Sequence, residues 1–220
     1  MLVASDALLT AMRGRTHDQV AALLAADPAA RMHTGPSGES LVLHACYVGA
    51  AELVPLLLGA RSLDAAEAAV LGDVSALDSA LTFDKEAIAR RTADGWTPLH
   101  LACFFGREGA AALLIDVGAP LDAISTNATG NTPLHAAFAG ASVHGIVKRL
   151  VMAGADVTAL GERRITPLHI AASRGDEALC DLLLARGAKP HAEMDDGTTP
   201  AQLATARGFP ALAEKLIATE

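Results

Sequence analysis

Aromatic residues are scarce in this 220-residue sequence, which contains five phenylalanines, one tyrosine and one tryptophan, or 3% of the chain. The hydrophobic fraction is nevertheless 51%. A core with so few large rings has to be built from alanine, leucine and valine. Side chains of this size suit closely packed helices, so the composition favours a helical protein.

Long apolar runs without charge are also missing. The sequence contains no uncharged apolar stretch of the roughly 18 residues that would suggest a membrane-spanning helix. The N-terminal stretch lacks a leading basic region and carries Asp6 among its apolar residues, so we do not expect a signal peptide. These two absences argue against a role in a membrane.

Positive charge and cysteine are both in short supply. The 17 lysines and arginines are outnumbered by 25 acidic residues, giving a formal net charge of −8. An acidic surface repels phosphate backbones, so nucleic acid is not expected as a partner. The three cysteines cannot all pair, and free thiols are unusual in secreted proteins. We therefore expect a cytoplasmic location.

One motif recurs at an almost constant spacing. T-P-L-H occupies residues 97–100, 132–135 and 166–169, and T-P-A-Q follows at 199–202, so that successive copies are 33 to 35 residues apart. The motif and its period resemble the ankyrin repeat, a β-turn plus two helices in which T-P-L-H opens the first helix. The resemblance implies a binding scaffold and names no partner.

The residues of the motif suit the start of a short helix. Thr97 can cap the helix with its hydroxyl, and Pro98 fits the first helical position, where a missing N–H costs nothing. Gly106 ends the helix. Helices this short are marginal alone, so each repeat must bury its apolar face on a neighbour. The predicted fold is an all-α ankyrin-repeat solenoid of helix-turn-helix units with finger loops, about six to seven repeats including caps.

We expect a single domain over residues 1–220. Its predicted parts are an N-terminal cap with degenerate repeats (1–93), three well-matched repeats (94–193) and a C-terminal capping repeat (194–220). Residues 29–39 are rich in Gly, Pro, Ser and Thr and predict a long loop. Gly72 follows Gly49 by only 23 residues, which predicts that the finger between them is missing or severely shortened.

Two of the better repeats also depart from the pattern. The middle repeat carries two extra residues, which we place within 139–145, at the turn between its helices. Phe138 stands where neighbouring repeats have Cys103 and Ala172, so we expect it to be buried. In the last repeat Gln202 takes the place of the motif histidine.

No chemistry is predicted at the histidines or elsewhere. His100, His135 and His169 recur once per repeat and should lie about 8–10 Å apart, whereas zinc needs its ligands about 2 Å from one centre. The resemblance gives these histidines a structural task, which is to connect one finger to the next by hydrogen bonds. The sequence has no phosphate-binding glycine loop, G-x-S-x-G or H-E-x-x-H motif. We expect no metal, no cofactor and no enzymatic activity.

Four of the seven aromatic residues fall at positions that the resemblance assigns to a concave groove. In ankyrin-like repeats these are the two residues before the first-helix glycine and the residue before the motif threonine. The predicted partner-binding residues are Tyr47, Val48, Trp96, Phe104, Phe105, Asn131, Ile165, Arg174 and Arg207. Val70 and Leu71 hold the same positions in the repeat between those of Tyr47 and Phe104. The groove should be apolar in its N-terminal half and polar to basic in its C-terminal half.

Two interpretations of the apolar positions are open. They are an exposed patch that binds a partner, or neighbouring repeats close over them and make them part of the core. The favoured function is a non-enzymatic scaffold that holds a partner protein in its groove, as a monomer. The alternative is a structural or regulatory subunit that uses the groove for self-association as a dimer.

Overall fold

Short helices build the whole of the described chain. The computed structural model describes residues 2–140 and 143–219, and in this part it contains fourteen α-helices, four short 3-10 helices and no β-strand. The α-helices are α1 (Asp6–Arg13), α2 (His17–Ala26), α3 (Leu41–Tyr47), α4 (Val54–Leu58), α5 (Ala65–Leu71), α6 (Val74–Phe83), α7 (Pro98–Phe104), α8 (Glu108–Asp116), α9 (Pro133–Ala139), α10 (Val143–Ala153), α11 (Pro167–Ser173), α12 (Glu177–Ala185), α13 (Pro200–Ala206) and α14 (Pro210–Ile217). The predicted all-α class is confirmed.

The chain divides into two compact units, Met1–Pro98 and Leu99–Glu220. The first unit contains α1 to α6. The second contains α8 to α14 and α7 from its second residue onward. Within the second unit α11 packs against α9 and α13, while α10 packs against α8 and α12, so that helices one repeat apart lie side by side. This is the stacking expected of repeats that share a core.

Alanine, leucine and valine form the core of both units. Ala68 and Leu77 of the first unit and Ala102 and Leu134 of the second are among the fully buried residues. Phe138 is buried completely, as expected from its position between small residues in neighbouring repeats. Burying each of the larger side chains contributes about 1.5–3 kcal/mol, so the core is assembled from many similar small contributions.

Side chains at the N-termini hold the inner helices of the repeats. The Thr166 hydroxyl accepts a hydrogen bond from the His169 N–H, and the Ser40 hydroxyl accepts one from the Leu43 N–H at 3.2 Å. Asp64 caps α5 in the same way, with its Oδ1 2.8 Å from the Glu67 nitrogen. Each cap satisfies an N–H group that has no partner within its own helix.

The loop predicted over residues 29–39 is more ordered than expected. Its first part belongs to a 3-10 helix, Pro28–Met32. Thr34 then pairs with the N-terminal segment, donating from its N–H to Leu2 O at 2.9 Å and accepting at its carbonyl from Ala4 N–H at 2.8 Å. A backbone hydrogen bond of 2.7 Å from Gly35 to Glu39 closes the turn that leads into α3.

The predicted shortening between Gly49 and Gly72 is confirmed. Residues 59–63 alone connect α4 to the cap of α5, whereas residues 117–131, 154–165 and 186–198 make the equivalent connections in the second unit. Arg61, in the short connection, donates two hydrogen bonds of 2.7 Å to the carboxylate of Glu67. Glu67 is fully buried and stands three residues after the cap, which is the position of the motif histidine.

The end of α9 approaches the end of α7 so closely that only glycine fits at position 140. A Cβ there would lie 2.3 Å from the carbonyl oxygen of Phe104 and 2.8 Å from that of Cys103. Residues 141 and 142, which belong to the predicted insertion at 139–145, lie outside the described residues. The close approach therefore fixes the point at which the chain leaves α9.

We predict that Gly140→Ala lowers the free energy of unfolding by about 1–3 kcal/mol, because a backbone has to move to admit the methyl group. Urea unfolding followed by circular dichroism would measure the loss. Gly145→Ala is the matched control. Its Cβ would meet only the end of the Glu108 side chain at 2.6 Å, which can move away. Equal effects of the two substitutions would contradict the close approach at residue 140.

Candidate interaction surface

The motif histidines position the fingers of the second unit. The Nε2 atom of each histidine donates to the backbone carbonyl of the residue that precedes the next cap: His100 to Asn131 at 3.0 Å, His135 to Ile165 at 3.1 Å and His169 to Thr198 at 3.1 Å. The structural role predicted for these histidines is confirmed. Each inner helix thereby holds the base of the following finger.

The other ring nitrogen completes the cap of the same helix. Nδ1 of His135 lies 2.9 Å from the Thr132 hydroxyl, and Nδ1 of His169 lies 2.7 Å from the Thr166 hydroxyl. A carbonyl can only accept, so Nε2 carries the proton and Nδ1 is the acceptor in a neutral ring. Burial lowers the pKa of both His135 and His169, despite the opposing effect of the carbonyls that they contact. Both rings are therefore neutral at physiological pH.

Gln202 shows which half of this arrangement depends on histidine. The side-chain Oε1 of Gln202 accepts from the backbone N–H of Thr199 at 2.8 Å, and the backbone N–H of Gln202 donates to the Thr199 hydroxyl at 3.4 Å. Glutamine thus reproduces the cap in the last repeat. The bond to a following finger is the part that the three motif histidines add.

Phe104 and Phe105 lie together at the C-terminal end of α7. Their ring centroids are 5.2 Å apart at an interplanar angle of 75°, an edge-to-face arrangement. The Phe104 side chain is 37% exposed and Phe105 is half-buried. Phe104 is therefore accessible on the surface of the second unit, and the ring of Phe105 packs edge-to-face against it.

The finger residues predicted to contact a partner are half-buried. Asn131 and Ile165 offer their carbonyl groups to the histidine ladder, so their backbone positions are fixed by His100 and His135. The Asn131 N–H also donates to the Ser125 hydroxyl at 2.9 Å, which closes the hairpin of that finger. The side chains at these two positions are presented from a rigid backbone.

The two predicted basic residues differ in their surroundings. Arg174 is exposed, and its guanidinium donates to the backbone carbonyl of Phe138 in the preceding repeat. This contact gives Arg174 a structural task between repeats. Arg207 is exposed after α13. On a neighbouring finger Arg163 forms an exposed ion pair with Asp196 at 3.3 Å.

Tyr47, Val48 and Trp96 lie in the first unit. The Tyr47 side chain is 38% exposed, and its hydroxyl donates to Asp94 Oδ2 at 2.6 Å. Burial, the hydrogen bond to Asp94 and the nearby negative charges raise the pKa of Tyr47 well above its usual value. Trp96 and Val48 are half-buried, and Trp96 O accepts from Thr92 N–H at 2.8 Å across the same finger. Tyr47 therefore contacts the finger with its polar end.

The groove position predicted for Val70 is wrong. Val70 is fully buried and Leu71 is half-buried. The cap Asp64 precedes Gly72 by eight residues, one fewer than separate Ser40 from Gly49. Counting from the caps places Val70 at the buried position of Cys46 and Leu71 at the position of Tyr47. The pair Asp64 and Glu67, which forms the capping box, was the signal for this alignment.

The described part of the chain offers no site for metal chemistry. It contains no group of three or more histidine, cysteine and acidic side chains arranged to hold a metal ion. All three cysteines are buried. Burial raises the pKa of Cys103, and burial together with nearby carboxylates raises the pKa of Cys180 to about 12, so both are protonated at neutral pH. Among the described helices, none is both long and apolar enough to cross a membrane.

Comparison with known families agrees with the repeat geometry. A family model described as "Ankyrin repeats (3 copies)" matches residues 64–160 and 138–220, which together form most of the chain. The chain belongs to the ankyrin-repeat family. Ankyrin repeats are generally protein–protein interaction modules.

Several curated ankyrin-repeat proteins are similar over about half of this chain. "Ankyrin repeat and SOCS box protein 16" of Mus musculus is 40% identical over 110 residues, or 47% of this chain and 24% of the relative. "Ankyrin repeat and KH domain-containing protein 1" of Homo sapiens is 38% identical over 105 residues, or 47% of this chain and 4% of the relative. The similarity thus spans less than a quarter of the length of each of these relatives.

Proposed function

We propose that this chain is a non-enzymatic interaction module that binds a partner protein in the concave groove of its ankyrin repeats. The pair Phe104 and Phe105 is the observation that supports this most directly. An exposed aromatic side chain backed by a second ring is a favourable anchor, because it loses little conformational freedom when it is covered. Large exposed apolar groups on a folded protein commonly mark interaction sites.

The ladder of histidine hydrogen bonds supports a rigid binding surface. Asn131 and Ile165 project from fingers whose backbones are fixed by His100 and His135. A partner meeting these fingers would not have to order them first, which reduces the entropy lost on binding. Arg207 and the finger arginines Arg163 and Arg164 favour acidic groups on the partner at the C-terminal end of the groove.

The first unit adds a second group of proposed contacts. The exposed part of the Tyr47 ring and the half-buried Trp96 and Val48 provide apolar area, while Asp94 holds the Tyr47 hydroxyl. Tyrosine and tryptophan are enriched among the residues that dominate binding energies. The buried thiols support a reducing, cytoplasmic setting. The net charge of −8 supports a protein partner and not a nucleic acid.

A capture experiment tests this function. Wild type and a Phe104→Ser/Phe105→Ser variant would be immobilised after circular dichroism shows that both are folded, and proteins bound from a lysate would be identified and titrated. We expect the variant to weaken binding tenfold or more, since aromatic anchors at interfaces are often worth about 2 kcal/mol or more. Val117→Ser, which removes a 49% exposed side chain after α8, is the matched control.

The alternative function predicts a different result from the same proteins. If the groove serves self-association, wild type should sediment as a dimer and the Phe104→Ser/Phe105→Ser variant as a monomer. A wild-type monomer that captures a partner equally well with and without the two phenylalanines would contradict the proposed surface. The search for contacts would then move to Arg207 and the neighbouring fingers.

A further inference from the structure

The C-terminal ends of α7, α9, α11 and α13 form a continuous row within the second unit. Gly140, at the end of α9, lies against α7, because a Cβ at this position would be 2.3 Å from the carbonyl oxygen of Phe104. The Arg174 guanidinium reaches back from the end of α11 to a backbone carbonyl of α9. Gly175 lies against the ring of Phe209, which follows α13, and a Cβ there would be 2.4 Å from a ring carbon. Each helix end therefore contacts the next one along this helix-end row.

The chemistry of the helix-end row changes from one end to the other. Phe104 and Phe105 supply two aromatic rings at α7, and Phe104 is 37% exposed. Ala139, at the end of α9, is small and exposed. Arg174 and Arg207, which follow α11 and α13, are both exposed. The row thus has an apolar end, a middle with a small side chain and a basic end.

The two arginines keep hydrogen-bond donors for a partner. Within residues 2–140 and 143–219 the Arg207 side chain forms no ion pair or hydrogen bond, and Arg174 gives one nitrogen to the carbonyl of α9. The acidic residue nearest to Arg174 in sequence, Asp176, is already paired with His144 at 2.9 Å. A guanidinium is planar and matches the geometry of a carboxylate. The basic end of the row therefore favours carboxylates on the molecule that binds there.

The length of the row determines the spacing that a partner segment needs. Packed helices lie roughly 8–10 Å apart, so the three steps from α7 to α13 cover roughly 24–30 Å. An extended segment advances about 3.3 Å per residue, so about eight residues cover this distance. Alternate side chains of such a segment point to the same side. The first, fifth and ninth residues of the segment can therefore all face the row.

We propose that the helix-end row binds an extended acidic segment of a partner protein. An aliphatic or aromatic side chain of the segment covers Phe104, its backbone crosses the row close to Ala139, and two carboxylates bind Arg174 and Arg207. This inference rests on the proposed function, because it places the partner in the same groove. It adds the chemistry, the extended form and the spacing of the segment, and it needs the second unit alone.

A short peptide with this spacing tests the proposal. The probe is acetyl-Leu-Thr-Ser-Thr-Glu-Thr-Ser-Thr-Glu-amide, and the same residues in reverse order form a second probe, since the segment can cross the row in either direction. Each would be titrated into the isotope-labelled full chain up to millimolar concentration while amide resonances are recorded. We expect at least one probe to give saturable shifts at the ends of α7, α9, α11 and α13. No saturable shift there, or equal shifts throughout the chain, would overturn the proposal.

A paired change in protein and peptide tests the contact at Arg207. Replacing the glutamate farther from leucine by glutamine should weaken binding to the wild type at least threefold. The same replacement should have no effect on binding to Arg207→Gln, which has already lost the contact. Lys148→Gln removes one exposed positive charge from α10 and is the matched control, which should bind both peptides as the wild type does. Equal weakening by Arg207→Gln and Lys148→Gln would overturn the assignment, because net charge alone would then explain it.

The form of the segment has its own test. A helix rises about 1.5 Å per residue, so a helical segment needs about eighteen residues between its apolar and its acidic side chain to cover the same row. An alanine-rich helical peptide with this longer spacing should bind at least threefold more weakly than the extended probe. Tighter binding by the helical peptide would overturn the extended form.

Failure of this inference can be told apart from failure of the proposed function. If Phe104→Ser/Phe105→Ser abolishes capture of a partner protein while Arg207→Gln changes neither that capture nor peptide binding, the interaction module stands and the acidic segment is wrong. If the two phenylalanines are not needed for capture or for the peptide, both proposals are wrong. We expect both sets of variants to weaken both the captured protein and the peptide.

Discussion

Arg61→Met should lower the free energy of unfolding of the first unit by about 3–5 kcal/mol, because it removes the positive charge paired with a buried carboxylate. The Glu67 side chain is only 1% exposed and receives both of its short hydrogen bonds from the Arg61 guanidinium. Methionine replaces the length of the arginine stem but none of its donors. Hydrogen exchange of the amides in α5 and α6 would measure the change.

Glu67→Gln and the double variant are the controls for this prediction. Glutamine can still fill the capping position of α5, and it carries no charge that needs compensation. The double variant should therefore be more stable than Arg61→Met alone, although it contains one more substitution. A fall in the free energy of unfolding of less than about 1 kcal/mol in Arg61→Met would contradict the prediction, because the pair would then be worth no more than an ordinary surface ion pair.

The same pair gives the first unit a dependence on acid. Burial alone raises the pKa of Glu67, but hydrogen bonds from Arg61, Ser40 and the Asp64 backbone outweigh it, and the net pKa is lowered. A carboxylate with a lower pKa in the folded state stabilises the fold above its unfolded pKa of about 4.3. This contribution is lost as the pH falls below that value. In Arg61→Met this acid-dependent loss should be smaller, because the folded-state pKa of Glu67 no longer has the contribution of Arg61 that lowers it.

His135→Gln and His169→Gln should each lower the free energy of unfolding of the second unit by about 1–3 kcal/mol. Glutamine retains the cap, as Gln202 shows, but it withdraws the Nε2 donor from the carbonyl of the next finger. Alanine at either position should cost about 1 kcal/mol more, since the side-chain contact to the cap threonine is lost as well. Urea unfolding followed by circular dichroism, with hydrogen exchange in α9 and α11, would measure both.

The histidine variants should also change the response to pH. Burial lowers the folded-state pKa of His135 and His169 below the unfolded value of about 6.5. The unfolded chain then binds more protons below pH 6.5, so their contribution is complete above that value and declines as the pH falls. The double glutamine variant should lose this part of the pH dependence. An unchanged slope between pH 7 and 5 would show that the two rings do not titrate as buried groups.

Much of the fold could be predicted from local patterns. The threonine, proline and histidine of each motif specify a cap, a helix start and a contact to the next repeat. The first two depend on residues close in sequence, and the third recurs at the period of the repeat. Burial of Phe138 followed from its alignment with small residues. The shortened connection followed from a simple count between Gly49 and Gly72.

Other features depend on relations that sequence spacing does not reveal. The position of Val70 was predicted wrongly because the repeat formed by α5 and α6 is one residue shorter between its cap and its glycine than the preceding repeat. The pairing of Arg61 with Glu67 needs the folded path of residues 59–63. The contact of Arg174 with the Phe138 carbonyl is likewise between repeats. For the proposed groove, the sequence predicted which residues occupy the groove positions of each repeat. The structure adds the degree to which each of these side chains is exposed.

The finger that carries Trp96, and whose Asp94 accepts a hydrogen bond from Tyr47, has a consequence for spectroscopy. These are the chain's one tyrosine and one tryptophan, and both belong to residues 1–98. Near-ultraviolet absorption and intrinsic fluorescence therefore arise almost entirely from the first unit, and the second unit contributes very little to either signal. A melting curve followed by fluorescence would describe one half of the molecule and pass over the half that carries the histidine ladder.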